Sequence, residues 1–108
     1  MPRYLFIANY APQGAKALMA AGGSARVTAV QKTAADLGGT LETFDFAFGS
    51  DDVYTIVDLP DARAAAALAL TVSGTGVAHV RTVVLLSPED LDAASQLRPE
   101  YSPPGGTS

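Results

Sequence analysis

Few side chains in this sequence have the type and spacing to do chemistry. Among its 108 residues there is one histidine, His79, and there is no cysteine and no tryptophan. A disulfide framework, a cysteine-ligated zinc or iron–sulfur centre, and any site needing two imidazoles from one chain are therefore excluded. His79 and Arg81 stand two apart in an apolar run, a spacing that puts both on one face of an extended strand. Together they could hold an anion, with His79 titrating near neutral pH as acid or base. The plainer reading is preferred: Arg81 forms a structural or interface ion pair, and His79 is an ordinary residue near a strand end. A buried charge survives only when paired, and Asp45 or Asp58 could be that partner.

Asp51 and Asp52 are adjacent carboxylates in Gly49-Ser50-Asp51-Asp52. They could bind a metal or act as acid and base, but neighbours at a strand start point to opposite faces. Turn chemistry is the preferred account, because Asp tolerates tight-turn dihedrals and bonds its own backbone. Asn9, Tyr10, Asp45 and Tyr54 are further polar groups on expected strands. Phe44, Phe46 and Phe48 could line an apolar pocket between a sheet and its helices; a plain core needs the same residues and is the better account. Gly74-Thr75-Gly76 precedes a strand, so it is no dinucleotide fingerprint. Ser24 and Ser73 lack nucleophile-elbow surroundings. No metal and no cofactor is expected.

These residues must be positioned by a small set of elements. Arg3 to Tyr10 reads as a strand, with Pro12 and Gly14 punctuating its end. Lys16 to Ala21 is helix-prone and stops at Gly22-Gly23. Ser24 then offers an N-cap. Val27, Val30, Ala34 and Leu37 form one apolar helical stripe, with Arg26, Gln31, Lys32 and Asp36 off its centre and Gly38-Gly39 as the stop. Thr40 to Phe48 divides by strand period into Glu42, Phe44, Phe46 and Phe48 on one face and Leu41, Thr43, Asp45 and Ala47 on the other. Val53 to Asp58 returns as the second arm of a hairpin. Asp61 caps an alanine-rich helix from Ala62 to about Val72. Val77 to Leu86 is the last strand, and Ser87 caps a short helix, Pro88 to Gln96. Residues 1–96 then form one domain. Residues 97–108, rich in Pro and Gly, read as a flexible tail.

The order β-α-β-β-α-β is a split βαβ pair, an α+β ferredoxin-like fold with one four-stranded antiparallel sheet and both helices on one face. An open antiparallel sheet normally alternates apolar and polar residues. Here Tyr4, Phe6 and Ala8 oppose Leu5 and Ile7, and Val80, Val84 and Leu86 oppose Val77, Val83 and Leu85. Both faces are apolar, so both should be covered. A second copy of the same sheet is the simplest cover for the face without helices, and a homodimer packed sheet to sheet is expected.

Phe48-Gly49-Ser50-Asp51-Asp52-Val53-Tyr54-Thr55-Ile56-Val57-Asp58-Leu59-Pro60-Asp61 resembles the signature of the GYD-domain family. In that family a glycine and a Tyr-Asp pair precede an apolar strand leading into a Pro-Asp helix start. Gln13-Gly14, Leu37-Gly38-Gly39 and Val80-Arg81-Thr82 agree in order and spacing, and the likeness covers roughly residues 3–95. Gly49 and Asp52 match the motif, whereas Asp51 stands in the tyrosine position. The resemblance implies a dimeric α/β barrel and no particular reaction.

Charge narrows the partners. The net charge is -4 and the pI about 4.6, with basic residues spread singly, so nucleic acid is not an expected partner. The apolar run after Met1 breaks at Asn9, too short for a secretory leader, and no apolar stretch approaches the roughly 20 residues that cross a bilayer. A cytoplasmic protein without membrane contact is expected. The sequence thus points to a small homodimeric ligand-binding or interaction module, with Arg81, Asp45, Tyr54 and Asn9 as candidate ligand-binding residues. The alternative is a cofactor-free enzyme of the dimeric barrel type acting on a small acidic or aromatic substrate, with His79 as acid–base. A pure interaction module would have no convergent polar pocket.

Overall fold

The computed structural model describes residues 1–47 and 49–105. Its elements are β1 (Arg3–Tyr10), α1 (Pro12–Ala21), α2 (Gly23–Asp36), β2 (Thr40–Phe46), β3 (Val53–Asp58), α3 (Ala62–Gly74), β4 (Ala78–Leu85) and α4 (Pro88–Ser95). The strands form one antiparallel sheet in the order β2-β3-β1-β4. This is the ferredoxin-like α+β arrangement expected from the chain order, with β1 and β3 at the centre.

Strand alternation decides what each face carries. Tyr4 and Phe6 of β1 and Val57 of β3 are buried together with Leu59, and they meet Ala34 of α2 and Ala65 and Leu68 of α3. Ala34 is the centre of the helical stripe read from sequence and is fully buried. The stop at Gly38-Gly39 is a Schellman motif: the Gly39 N–H donates to the Ala34 carbonyl at 2.8 Å and the Gly38 N–H to Ala35 at 3.0 Å. Asp61 caps α3, accepting from the Ala64 N–H at 3.0 Å. Ser87 and Asp90 form a reciprocal capping box on α4.

Three local expectations change. The first helix begins at Pro12, which occupies its first turn, so Pro12 and Gly14 open a helix instead of ending a strand. The second helix begins at Gly23, with Gly22 (φ 86°) at the cap, and Ser24 makes no capping bond. Strict period two in β2 fails at a bulge. The register passes from Leu41 opposite Val57 to Thr43 opposite Ile56, leaving Glu42 as the extra residue. Leu41 therefore packs on the core, and Glu42 leaves the phenylalanine face. Nor do the phenylalanines make a plain core: Phe46 is 41% exposed, Phe44 is half-buried against it, edge to face at 5.2 Å, and Phe48 lies outside the described residues.

Beyond the sheet, α4 is exposed along its length, and residues 97–105 carry no helix or strand. The molecule measures 60 × 31 × 23 Å.

Gly14 and Gly39 are demanded by close approach. A Cβ on Gly14 would overlap the Val77 carbonyl, which also accepts the Ala11 N–H at 2.9 Å, and one on Gly39 would overlap the Asp58 carbonyl. Gly14→Ala should lower stability by about 1–3 kcal/mol, the usual cost of overpacking, read as the urea midpoint. Gly74→Ala, at a helical position with open space around it, should be neutral or stabilising.

Candidate functional site

Two features could serve function, one on each side of the sheet. On the face away from the helices, Leu5 aligns with Ile56 and Val83, and Ile7 with Tyr54 and Arg81. Arg3 sits between Asp58 and Leu85, and Asn9 opposite His79. The centre of this open face is thus apolar and its ends are polar. Val83 and Tyr54 are 39% and 37% exposed.

At one end the turn between β2 and β3 folds Asp51 onto the sheet. Asn9 Nδ2 donates to Asp51 Oδ1 at 2.8 Å. Arg81 Nη2 reaches Asp51 Oδ2 at 3.0 Å, and the Tyr54 hydroxyl donates to the same oxygen at 3.2 Å. Asp51 is only 9% exposed. The Asn9 amide bond, followed by the Arg81 charge and the Tyr54 hydroxyl, holds its carboxyl below the ordinary value against the opposing effect of burial. Asp52 behaves differently. Its Oδ2 accepts the Tyr10 backbone N–H at 2.8 Å, and its own N–H donates to the Ala8 carbonyl at 2.9 Å, so it pins the turn to the end of β1.

The geometry therefore gathers Asn9, Tyr54 and Arg81, and gathers them on Asp51. Arg81 pairs with Asp51 and not with Asp45 or Asp58, the partners expected from the sequence. Neither Asp51 nor Asp52 uses its side chain on the turn's own backbone: Asp51 takes three side chains and Asp52 the Tyr10 N–H. Local periodicity ranks Asp45 and Asp58 because they lie on strands; only the folded turn brings a residue thirty positions away onto Arg81. Asp45 is exposed opposite Tyr54, and its side chain makes no hydrogen bond among the described residues. His79 is likewise exposed beside Asn9.

The opposite end of this face holds Arg3, Glu42 and Asp58. Arg3 Nε bonds Glu42 Oε2 at 2.7 Å, which lowers the Glu42 pKa. Asp58 is pushed up, first by burial and then by the neighbouring Glu42 charge.

Between sheet and helices lies a cavity of about 220 Å³, walled by Phe6, Val30, Phe44, Val53, Leu68 and Val80, with Tyr10 and Arg26 also in its lining. A second hollow of about 300 Å³ under α1 shares Tyr10, Arg26 and Val77 with it. Burial raises the Tyr10 phenol pKa, while the Arg26 charge opposes that rise. In the sequence Arg26 falls off the centre of the helical stripe. Its spacing to Val30 and Thr33, four and seven residues on, was the available signal that it shares a cavity-lining helix face. Among the described residues no group of three or more His, Asp or Glu could hold a metal ion, and no helix is long and apolar enough to cross a membrane.

The strand order and one-sided helical layer define a ferredoxin-like α+β domain. The model of the GYD domain matches residues 4–95, and the chain belongs to that family. Comparison with curated proteins and with solved structures returned no match.

Asp51 carries a pH signature. Its folded carboxyl lies below the ordinary 3.8, so its contribution to stability is complete above that value and is lost as pH falls through the lowered folded pKa. Asp51→Asn should be less stable than wild type at pH 7. The gap should narrow as pH falls below about 4, measured as the difference in urea midpoints between the two proteins.

Proposed function

We propose that the chain is a homodimeric small-molecule-binding domain whose ligand sits between the sheet and helices α2 and α3. The cavity of about 220 Å³ carries this reading. It is concave, largely apolar, and has few polar groups, the usual composition of a small-ligand site. Its origin is legible in α3: Leu68 reaches the core, while Ala69, Thr71 and Val72 line the cavity without filling it.

The open face supports the dimer. Leu5, Ile7, Ile56, Val83 and Leu85 form an apolar strip across three strands, with no helix packed on that side among the described residues. Covering it with a second copy would remove this surface from water and would bury the Arg81–Asp51 pair further. The apolar middle supplies the association and the charged ends set its register.

An enzyme using His79 as acid–base, with Arg81 steering an anion, is the weaker reading. Arg81 is already engaged by Asp51, and neither residue lines either of the two cavities.

Two measurements test the proposal. Sedimentation at micromolar concentration should give a dimer, and Val83→Asp should convert it to folded monomers; a wild-type chain that stays monomeric removes the dimer. Native mass spectrometry of freshly purified protein should show a retained small molecule. Ala69→Phe, which fills the cavity, should release it, and retention of the same mass by that variant would move the ligand elsewhere.

A further inference from the structure

Of the five arginines, Arg3 pairs with Glu42 and Arg81 with Asp51. Arg26, Arg63 and Arg98 make no ion pair among the described residues, and of these three only Arg26 lines the cavities. It lines both, and is the only charged residue in either lining among the described residues. Tyr10 stands with it at the junction of the two hollows, its hydroxyl without a hydrogen-bond partner among the described residues.

The rest of the wall offers little to a polar ligand. The Thr33, Thr55 and Thr75 hydroxyls are already committed to the Ala29, Thr43 and Val72 carbonyls. Phe6, Phe44, Val53, Leu68 and Val80 are apolar, and Thr71 adds one neutral hydroxyl. A guanidinium presents a planar fork of N–H donors matched to a carboxylate. A phenol beside it adds one further donor. In a chain of net charge -4, an unpaired cation at the mouth of an apolar cavity selects for an anion with an apolar body.

We propose that this cavity binds a small amphipathic monocarboxylate, its single ring or short branched chain seated against Phe6, Phe44 and Leu68 and its carboxylate held by Arg26 and Tyr10. The inference rests on the cavity being the ligand site. Size limits the body: a dry apolar cavity of roughly 150 Å³ holds benzene, so about 220 Å³ suits one ring with a short side chain.

The test is calorimetric titration with a matched pair of probes, 3-phenylpropanoate and 3-phenylpropan-1-ol, which share a body and differ in charge. Wild type should bind the carboxylate at least about tenfold more tightly than the alcohol, the scale of one charge-assisted contact. Arg26→Gln, on an exposed helical position, should bring the two affinities within about threefold of each other by weakening only the carboxylate. Tyr10→Phe should weaken the carboxylate by a smaller factor. Ala69→Phe should abolish binding of both probes, with the circular dichroism spectrum confirming that each variant is folded.

The failures are distinguishable. If neither probe binds wild type, the monocarboxylate assignment falls, while the cavity reading is decided separately by the retained mass and its release in Ala69→Phe. If both bind equally and Arg26→Gln changes nothing, the carboxylate assignment falls while the cavity reading stands. Equal weakening of both probes by Arg26→Gln would make Arg26 a wall of the cavity and overturn its role as an anion ligand.

Discussion

Everything in this fold depends on the alternation of the two central strands, β1 and β3. One set of side chains, Tyr4, Phe6, Val57 and then Leu59, goes under the helices and is almost completely removed from water. Each such burial is worth roughly 1.5–3 kcal/mol, and the set holds α2 and α3 on one side of the sheet. The other set, Leu5, Ile7 and Ile56, is committed by the same alternation to the opposite side. No adjustment of the helices can reach them. A chain that packs one apolar face well is thus left with a second, and the proposed dimer follows from that constraint.

The helical layer is thin, and this has consequences for the site. Ala34 and Ala65 allow close approach where Val57 and Leu59 lie. Toward Val53 and Phe44 the same layer presents Ala69, Thr71 and Val72, which leave the space unfilled. Interiors are normally packed close to crystalline density. A cavity floored by the buried Phe6, Val53, Thr55, Leu68 and Ala78 therefore reflects the choice of small side chains on α3. Close packing and a ligand space are not competing explanations of the alanine-rich helix. It does the first at one end and permits the second at the other.

Charged groups sit where the alternation runs out. Asp51 is held by three donors and satisfies Arg81, while Glu42 takes Arg3 at the far end. Among the described residues, no buried side-chain nitrogen or oxygen atom lacks a partner. Asp52 ties the turn to the Tyr10 and Ala8 backbone, whereas Asp51, where the resemblance to the family motif puts a tyrosine, faces the open side of the sheet and places a carboxylate beside Arg81.

The sequence by itself determined the element order, the apolar stripe of α2, the caps at Asp61 and Ser87, and the apolar character of both sheet faces. These follow from local periodicity and turn chemistry, which act over a few residues. It also named Asn9, Tyr54 and Arg81 as polar groups of interest. Only the tertiary structure decided that they converge on Asp51, that a bulge at Glu42 turns Leu41 inward, and that Arg26 stands unpaired beside Tyr10. The physical reason is sequence distance. Asp51 meets Asn9 across forty-two residues and Arg81 across thirty, and Arg26 lines the same cavities as Tyr10 because α2 packs on the sheet. Pairings of that range are set by how the layers pack, and periodicity carries no record of them.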